Sequence, residues 1–418
     1  MRTAFLIFGC AVGMLFDGPA RADWIRGKAY KLPSEYTNQE SGYFYIIEGK
    51  NGRIYIGAAK YGINGYLLEF DPTTGTTRMV LDVMKTIGST ARGFAAQAKI
   101  HTRNNVGASG RIYVGTKQGY PEKGESRDLY PGGYVMTFDP ANNRCEHFGI
   151  AKPKHGIISV MPDEAHGLVY VSTCSDDRPI DHSHFMVLDL KTRKYTDLGD
   201  TEIAYAFIIL DQKRRAYHPV AGGTLFRYDP ETARVEQMLM RIDKQVPPYS
   251  LRRNSAILNW DATQDGRWLY SVEMTTNQLF QFDLASTGPI LEGRSCGPLL
   301  KKARATDCRA LCVGHRGTVW AAVTEQGLPT GPLLHLVSYQ AEIMQPMDHG
   351  AIAIANPDFA TMTLPDGKPK PWHHTIRREK DGTLTPWQPM GVCQASNGTV
   401  YVLTIAPFTL IRFDQFKY

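Results

Sequence analysis

Residues 174–185 read CSDDRPIDHSHF, and few other stretches of the chain crowd so many reactive groups together. Asp176 and Asp177 bring carboxylates, Arg178 a guanidinium, and His182 and His184 imidazoles that point the same way if the segment is extended. Three chemistries suit such a set: a divalent-cation site, a polar ligand contact, or a solvated loop with an internal Asp–Arg pair. A metal would need further ligands from elsewhere in the fold, which spacing alone does not reveal. Other groups of the same kind lie far apart in the chain. Arg92, Arg253 and Arg309 can neutralise a carboxylate, phosphate or sulfate. His155, His218 and Tyr205 can give and take protons near neutral pH. Together they are the parts of a β-elimination on a uronate, which needs a neutralised carboxylate, a base for the acidified proton and an acid for the leaving oxygen. Whether they meet depends on the elements that carry them.

Those elements repeat. GRIYIGA at Gly52 returns as GRIYVGT at Gly110, GLVYVST at Gly167, GRWLYSV at Gly266, GTVWAAV at Gly317 and GTVYVLT at Gly398, with RRAYHPVA at Arg214 a looser copy. A turn followed by alternating β-branched and aromatic residues is a hairpin signal. A second unit follows each first: LLEFDPTTG, VMTFDPANN, FMVLDLKT, LFRYDPET, LFQFDLAS, LLHLVSY and LIRFDQF. Its apolar run is a strand, and Asp-Pro or Asp-Leu starts the next turn, Asp by capping backbone amides and Pro by presetting φ. With an apolar segment before each first unit and a polar one after most second units, four strands A-B-C-D recur seven times. This predicts an all-β, seven-bladed propeller of four-stranded blades over residues 23–418.

The seventh copy lacks an outer strand, so residues just after the leader are expected to supply it and close the ring, removing exposed sheet edges. Two inserts interrupt the rhythm: residues 118–131 in blade 2, and about 347–388 between blades 6 and 7, where Trp372, His373 and His374 either fold over the opening or cap the ring outside. In a propeller the D–A and B–C connections share one face. That face is expected to gather Tyr61, Arg92, His155, the 174–185 loop, Tyr205, His218, Arg252, Arg253, Arg309 and Thr404. His218 stands where other copies carry Gly or Ser, a local rule broken of the sort that functional sites break.

At its F/Y-D-P-x-T-G and G-R-I-Y-V-G units the chain resembles secreted bacterial seven-bladed propellers of the streptogramin-lyase-like and NHL-like kind, over nearly its whole mature length. Uronate-specific polysaccharide lyases with seven blades are similar in architecture. The Asp-Asp-His-Asn element usual in them is not evident here, Asp176-Asp177-Arg178 being a distant echo.

The first 22 residues read as an export signal: a basic start, an apolar core and an Ala20-Arg21-Ala22 cleavage motif. That core is too short to span a bilayer, and no other run is long enough. Export permits disulfides among Cys145, Cys174, Cys296, Cys308, Cys312 and Cys393, with 296–308 and 308–312 both conceivable. The charge of +6 has no basic block or nucleic-acid module, so nucleic acid is not an expected partner. Absence of P-loop, dinucleotide, G-x-S-x-G and H-E-x-x-H motifs disfavours nucleotide-dependent and lipase-like chemistry. No cofactor is required, although a structural divalent cation is compatible. Three readings remain open: an exported lyase for acidic carbohydrate, a non-catalytic glycan- or protein-binding propeller, and a glycoside hydrolase using Asp176, Asp177 or Glu273.

Overall fold

The computed structural model describes residues 24–37, 46–175, 182–203, 207–245, 259–286, 288–301, 303, 305–356, 359 and 375–417. Among them, strand pairing assembles seven antiparallel four-stranded units. Blade 1 runs Ile46–Glu48, Ile54–Lys60, Asn64–Asp71 and Thr76–Asp82. Blade 2 has an inner strand in two pieces, Lys99–Ile100 and Asn105–Val106, then Ile112–Lys117, Tyr134–Asp139 and Arg144–Ile150. Blade 3 is Gly156–Asp163, Leu168–Cys174, His184–Asp189 and Tyr195–Asp200. Blade 4 is Ile209–Leu210, Ala216–Val220, Thr224–Asp229 and Arg234–Ile242, and blade 5 is Asn259–Ala262, Trp268–Val272, Gln278–Asp283 and Ile290–Pro298. Blade 6 is Thr306–Val313, Val319–Glu325, Leu333–Gln340 and Gln345–Ile354. Blade 7 takes Pro389–Gln394, Val400–Thr404 and Thr409–Phe413, and its outer strand is Trp24–Lys31.

The closing strand splits its pairing. Trp24 to Gly27 run parallel to Ala351 to Ile354 on blade 6, and Lys28 to Lys31 then pair antiparallel with Arg412 to Thr409 on blade 7. Its alternation suits this double duty, because Ile25 and Ala29 are buried while Arg26 and Lys28 are exposed. The apolar cores lie between blades. Tyr170 and Phe185 of blade 3 pack with Ile208, Ala216 and Tyr228 of blade 4. Ile25, Val402 and Ile411 of blade 7 pack with Trp320 and Leu336 of blade 6.

The residue five before the A–B turn glycine plays one role in three successive blades. Asp261 accepts a hydrogen bond from the Val313 amide of the next blade, Cys312 sits against the Gln394 amide, and Cys393 against the Glu48 amide. Glu48 then accepts from the Ser396 amide and hydroxyl, which ties blade 1 back to blade 7. At the loose copy in blade 4, Arg214 adopts φ 63°, a conformation that glycine would hold without strain. Its guanidinium reaches Asp163 of blade 3 at 3.0 Å.

Two expectations shift. Residues 345–354 form the outer strand of blade 6, so the second connection starts after Ile354 rather than at 347; it includes a hairpin, Ile376–Arg378 with Leu384–Pro386. Residues 372–374 lie outside the described set. Neither conceivable disulfide forms: all six described cysteines are free thiols. Cys308 is buried, and its strand carries Cys312 toward a different neighbour. Among the described residues no helix is long and apolar enough to cross a membrane.

Candidate functional site

The inner strand of blade 2 reads K-I-H-T-R from Lys99 to Arg103, and this period-two run of cations was missed as a site from sequence. Lys99 lies directly opposite Lys117 across the antiparallel pair. Both are almost wholly buried, at 4% and 3% exposed. Facing like charges cost stability, and burial removes the water that would screen them. The Lys99 ammonium contacts the Tyr61 hydroxyl at 3.3 Å and lies over two aromatic rings, 4.8 Å from the centre of Tyr61 and 5.3 Å from that of Tyr120. Tyr120 is brought there by the blade 2 insert, which folds back so that Tyr130 reaches Gln97 and Glu125 caps the Phe94 amide. Lys117 reaches the Cys174 sulfur at 3.4 Å. Burial first, then the charges of Lys99 and Lys117, hold His101 well below the ordinary histidine value.

Blade 3 brings histidines to the same side. A β carbon on Gly156 would meet Lys117 Cγ at 2.4 Å and Gln118 Oε1 at 3.0 Å, so only glycine lets this strand approach blade 2 so closely. The preceding residue, His155, is half-buried; its Nδ1 lies 3.2 Å from Thr173 Oγ1 and its ring meets that of His184 edge-on at 5.3 Å. Burial, then the positive fields of His184 and Lys152, lower His155 to about 4. It is therefore neutral at neutral pH and able to accept a proton. His184 engages Asp197 at 3.0 Å, and His182 engages Asp200 at 2.6 Å. Gln118 Oε1, buried between these groups, has no hydrogen-bond partner among the described residues.

The remaining expected residues are placed differently. His218 is fully buried beneath this group, with Nδ1 2.7 Å from the Pro219 carbonyl and Nε2 2.8 Å from Ser172 Oγ. A carbonyl only accepts, so Nδ1 carries the proton and Nε2 receives one from Ser172. Both nitrogens are thus committed to the joint between blades 3 and 4, and the catalytic role expected of His218 does not fit a ring with no exposed face. Arg309 is held by Asp307 on its own strand at 2.9 Å, and Arg92 is exposed and bonded to the carbonyls of Thr90 and Ala91. Tyr205, Arg253, Asp176 and Asp177 lie outside the described residues. Glu273 is nearly buried; burial pushes its carboxyl up, but hydrogen bonds from Thr276 and Thr275 outweigh this and keep it ionised. Among the described residues no group of three or more His, Cys, Asp or Glu is arranged to hold a metal.

His218 sets a pH dependence. Burial lowers it from 6.5 to about 4. As pH falls, the unfolded chain takes up this proton first. Stability is complete above the unfolded value and declines toward the folded one, by about 3 kcal/mol from this residue. His155 and His101 act in the same direction. Thermal unfolding followed across that interval should show the fall, and His218→Gln should flatten it.

Two cavities of about 640 Å³ each open on the opposite, A–B turn mouth. Arg103 and Asp261 line both, and their ion pair crosses the axis from blade 2 to blade 5. The stripe of cations that begins at Lys99 therefore ends in a neutralised plug, and Lys99 with Lys117 lies toward the D–A and B–C face.

The chain is similar in fold to solved β-propellers. A chain of the crystal structure titled mitotic checkpoint complex aligns over 99% of this chain and 98% of its own at 8% identity and a TM-score of 0.52. The structure of U3-55K aligns over 90% and 97% at 8% identity and 0.52, and the Myceliophteria thermophila Cps50 (Swd1) β-propeller domain over 89% and 96% at 10% and 0.51. No protein-family model and no curated protein sequence matches. The protein is a β-propeller, and the likeness extends to the fold alone; the streptogramin-lyase-like and NHL-like resemblance rests on the repeat units themselves.

Proposed function

We propose that this propeller binds an acidic, uronate-bearing saccharide on its D–A and B–C face, with the sugar carboxylate seated at Lys99 and Lys117. The observation that carries this reading is the buried, directly opposed lysine pair. An anion that bridges two facing ammonium groups gains two charge-assisted hydrogen bonds, which a buried setting strengthens. Tyr61 and Tyr120 provide ring faces beside the charges, and Gln118 an acceptor for a sugar hydroxyl. The export signal read in residues 1–22 would deliver the protein to compartments where such polymers occur. Calorimetric titration with oligouronides and with their carboxyl-reduced counterparts tests the reading. Saturable binding of the acidic form alone is expected; equal binding of both, or of neither, contradicts it.

A second reading is favoured by the Tyr61–Lys99 contact. That contact sets the Tyr61 hydroxyl beside the site proposed for the sugar carboxylate, where a phenol can act in proton transfer. With Lys99 and Lys117 neutralising the carboxylate and His155 neutral beside them, β-elimination has its three parts. Acidic polysaccharides should then gain ultraviolet absorbance from new C4–C5 double bonds, and Tyr61→Phe should abolish the gain while leaving binding. No absorbance change with bound substrate leaves the protein a binding propeller.

A further inference from the structure

Lys99 is almost wholly buried beneath the blade 2 insert. It is 4% exposed, whereas Tyr120, whose ring centre lies 5.3 Å from the Lys99 ammonium, is 55% exposed. The Tyr120 ring therefore stands between the charge and solvent, with the Tyr61 ring beside it edge-on at 5.4 Å and 75°. An anion that seats on Lys99 has to pass this cover.

The insert is fastened differently along its length. Its second half is built into the fold. Tyr130 is buried with its hydroxyl 3.0 Å from Gln97 Oε1, and the Pro131 carbonyl accepts from the Lys154 amide at 3.1 Å. Between them and the first half, Ser126 caps the short helical turn Arg127–Leu129. The first half runs over the surface, where Tyr120 and residues 122–124 are exposed. Glu125 latches it. Its carboxylate accepts from the Phe94 amide at 2.6 Å and from the Glu122 amide at 3.0 Å, which fastens the segment to the turn before blade 2 and folds it on itself. Gly93 makes room for the latch, because a β carbon there would meet Glu125 Oε1 at 2.2 Å. A carboxylate on backbone amides is a strong, charge-assisted fastening. The segment it holds is largely solvent-exposed, and such segments open at far smaller cost than the body of a fold. Gly124, at φ 86° with no atom within 4 Å of its β position, is backbone with space to pivot.

We propose that residues 118–125 form a strap that closes over Lys99 and lifts, by release of the Glu125 latch, to admit an anion. That the anion is a sugar carboxylate rests on the acidic-saccharide reading above; the cover itself does not.

Acetylation by N-hydroxysuccinimidyl acetate, followed residue by residue with mass spectrometry, tests the strap on the whole protein. Lys99 should react much more slowly than Lys123, which is exposed on the strap itself. Glu125→Ala should speed the Lys99 reaction roughly tenfold or more, as expected for loss of charge-assisted bonds, and leave Lys123 unchanged. Tyr120→Ala removes the cover and keeps the latch; it should speed Lys99 too, and it decides the matter if Glu125→Ala does not fold. A Lys99 rate unchanged in both variants overturns the proposal. So does a rate raised in Ile25→Asp and in neither strap variant, because the lysine is then reached through unfolding of the ring. Trigalacturonate should slow Lys99 acetylation in the wild type. If it does not, while the strap variants still speed the reaction, the strap stands and the acidic-saccharide reading falls.

Discussion

Deleting residues 23–36 is expected to abolish cooperative folding of the whole ring. The segment carries the outer strand of blade 7, Trp24–Lys31, and Leu32, whose amide bonds the Phe408 carbonyl at 3.0 Å. Ile25, Ala29 and Leu32 are buried. Exposing or losing two large aliphatic side chains costs roughly 3–6 kcal/mol at 1.5–3 kcal/mol each, before any backbone pairing is counted. Ladder hydrogen bonds to both Ala351 to Ile354 and Arg412 to Thr409 go as well. Against a typical total stability of about 5–15 kcal/mol, the remainder does not hold a closed ring. The truncated protein should also aggregate, since two strand edges are unmasked together. Thermal unfolding by circular dichroism checks this, and an unchanged melting temperature would mean that the ring closes in another way. Ile25→Asp should produce a graded version of the same loss without shortening the chain.

The closure was legible in the sequence because it follows from counting. Seven A-B-C triplets with a last one lacking its outer strand leave the N-terminal segment as the natural partner. The blades were legible because β-branched and aromatic residues alternate after a turn residue in every copy, so period and punctuation agree. The site was legible only in part. In blade 3 the rings of His155 and His184 meet at 5.3 Å, and His182 and His184 share Asp200. His218 drew notice for breaking the small-residue rule of its repeat position. The break turns out to serve packing, with the ring filling the joint between blades and satisfying Ser172. The lysine pair went unnoticed for a physical reason. In sequence, K-I-H-T-R looks like a solvated strand edge, and Lys117 looks like the polar end of another strand. Their opposition depends on register across 18 positions, which no local pattern states. The Arg103–Asp261 plug is further out of reach, joining residues 158 positions apart across the axis.

The lysine pair is the centre of the functional account, and its replacement yields the second large effect. Lys117→Met keeps the length and the apolar stem of the side chain and removes one of two facing buried charges. The variant should still unfold in one cooperative transition, because Met fills the space of the lysine stem. Affinity for an oligouronide should fall ten- to a hundredfold, the worth of one lost charge-assisted contact of roughly 1.5–3 kcal/mol.

The most direct test is therefore one pair of measurements on wild type, Lys99→Met and Lys117→Met: melting temperature without ligand, and calorimetric affinity for an oligouronide. The account predicts at least tenfold weaker binding in both variants, each of which still melts in one cooperative transition. Lowered melting temperatures with undiminished oligouronide affinity would show that the lysines serve the fold, and would contradict it.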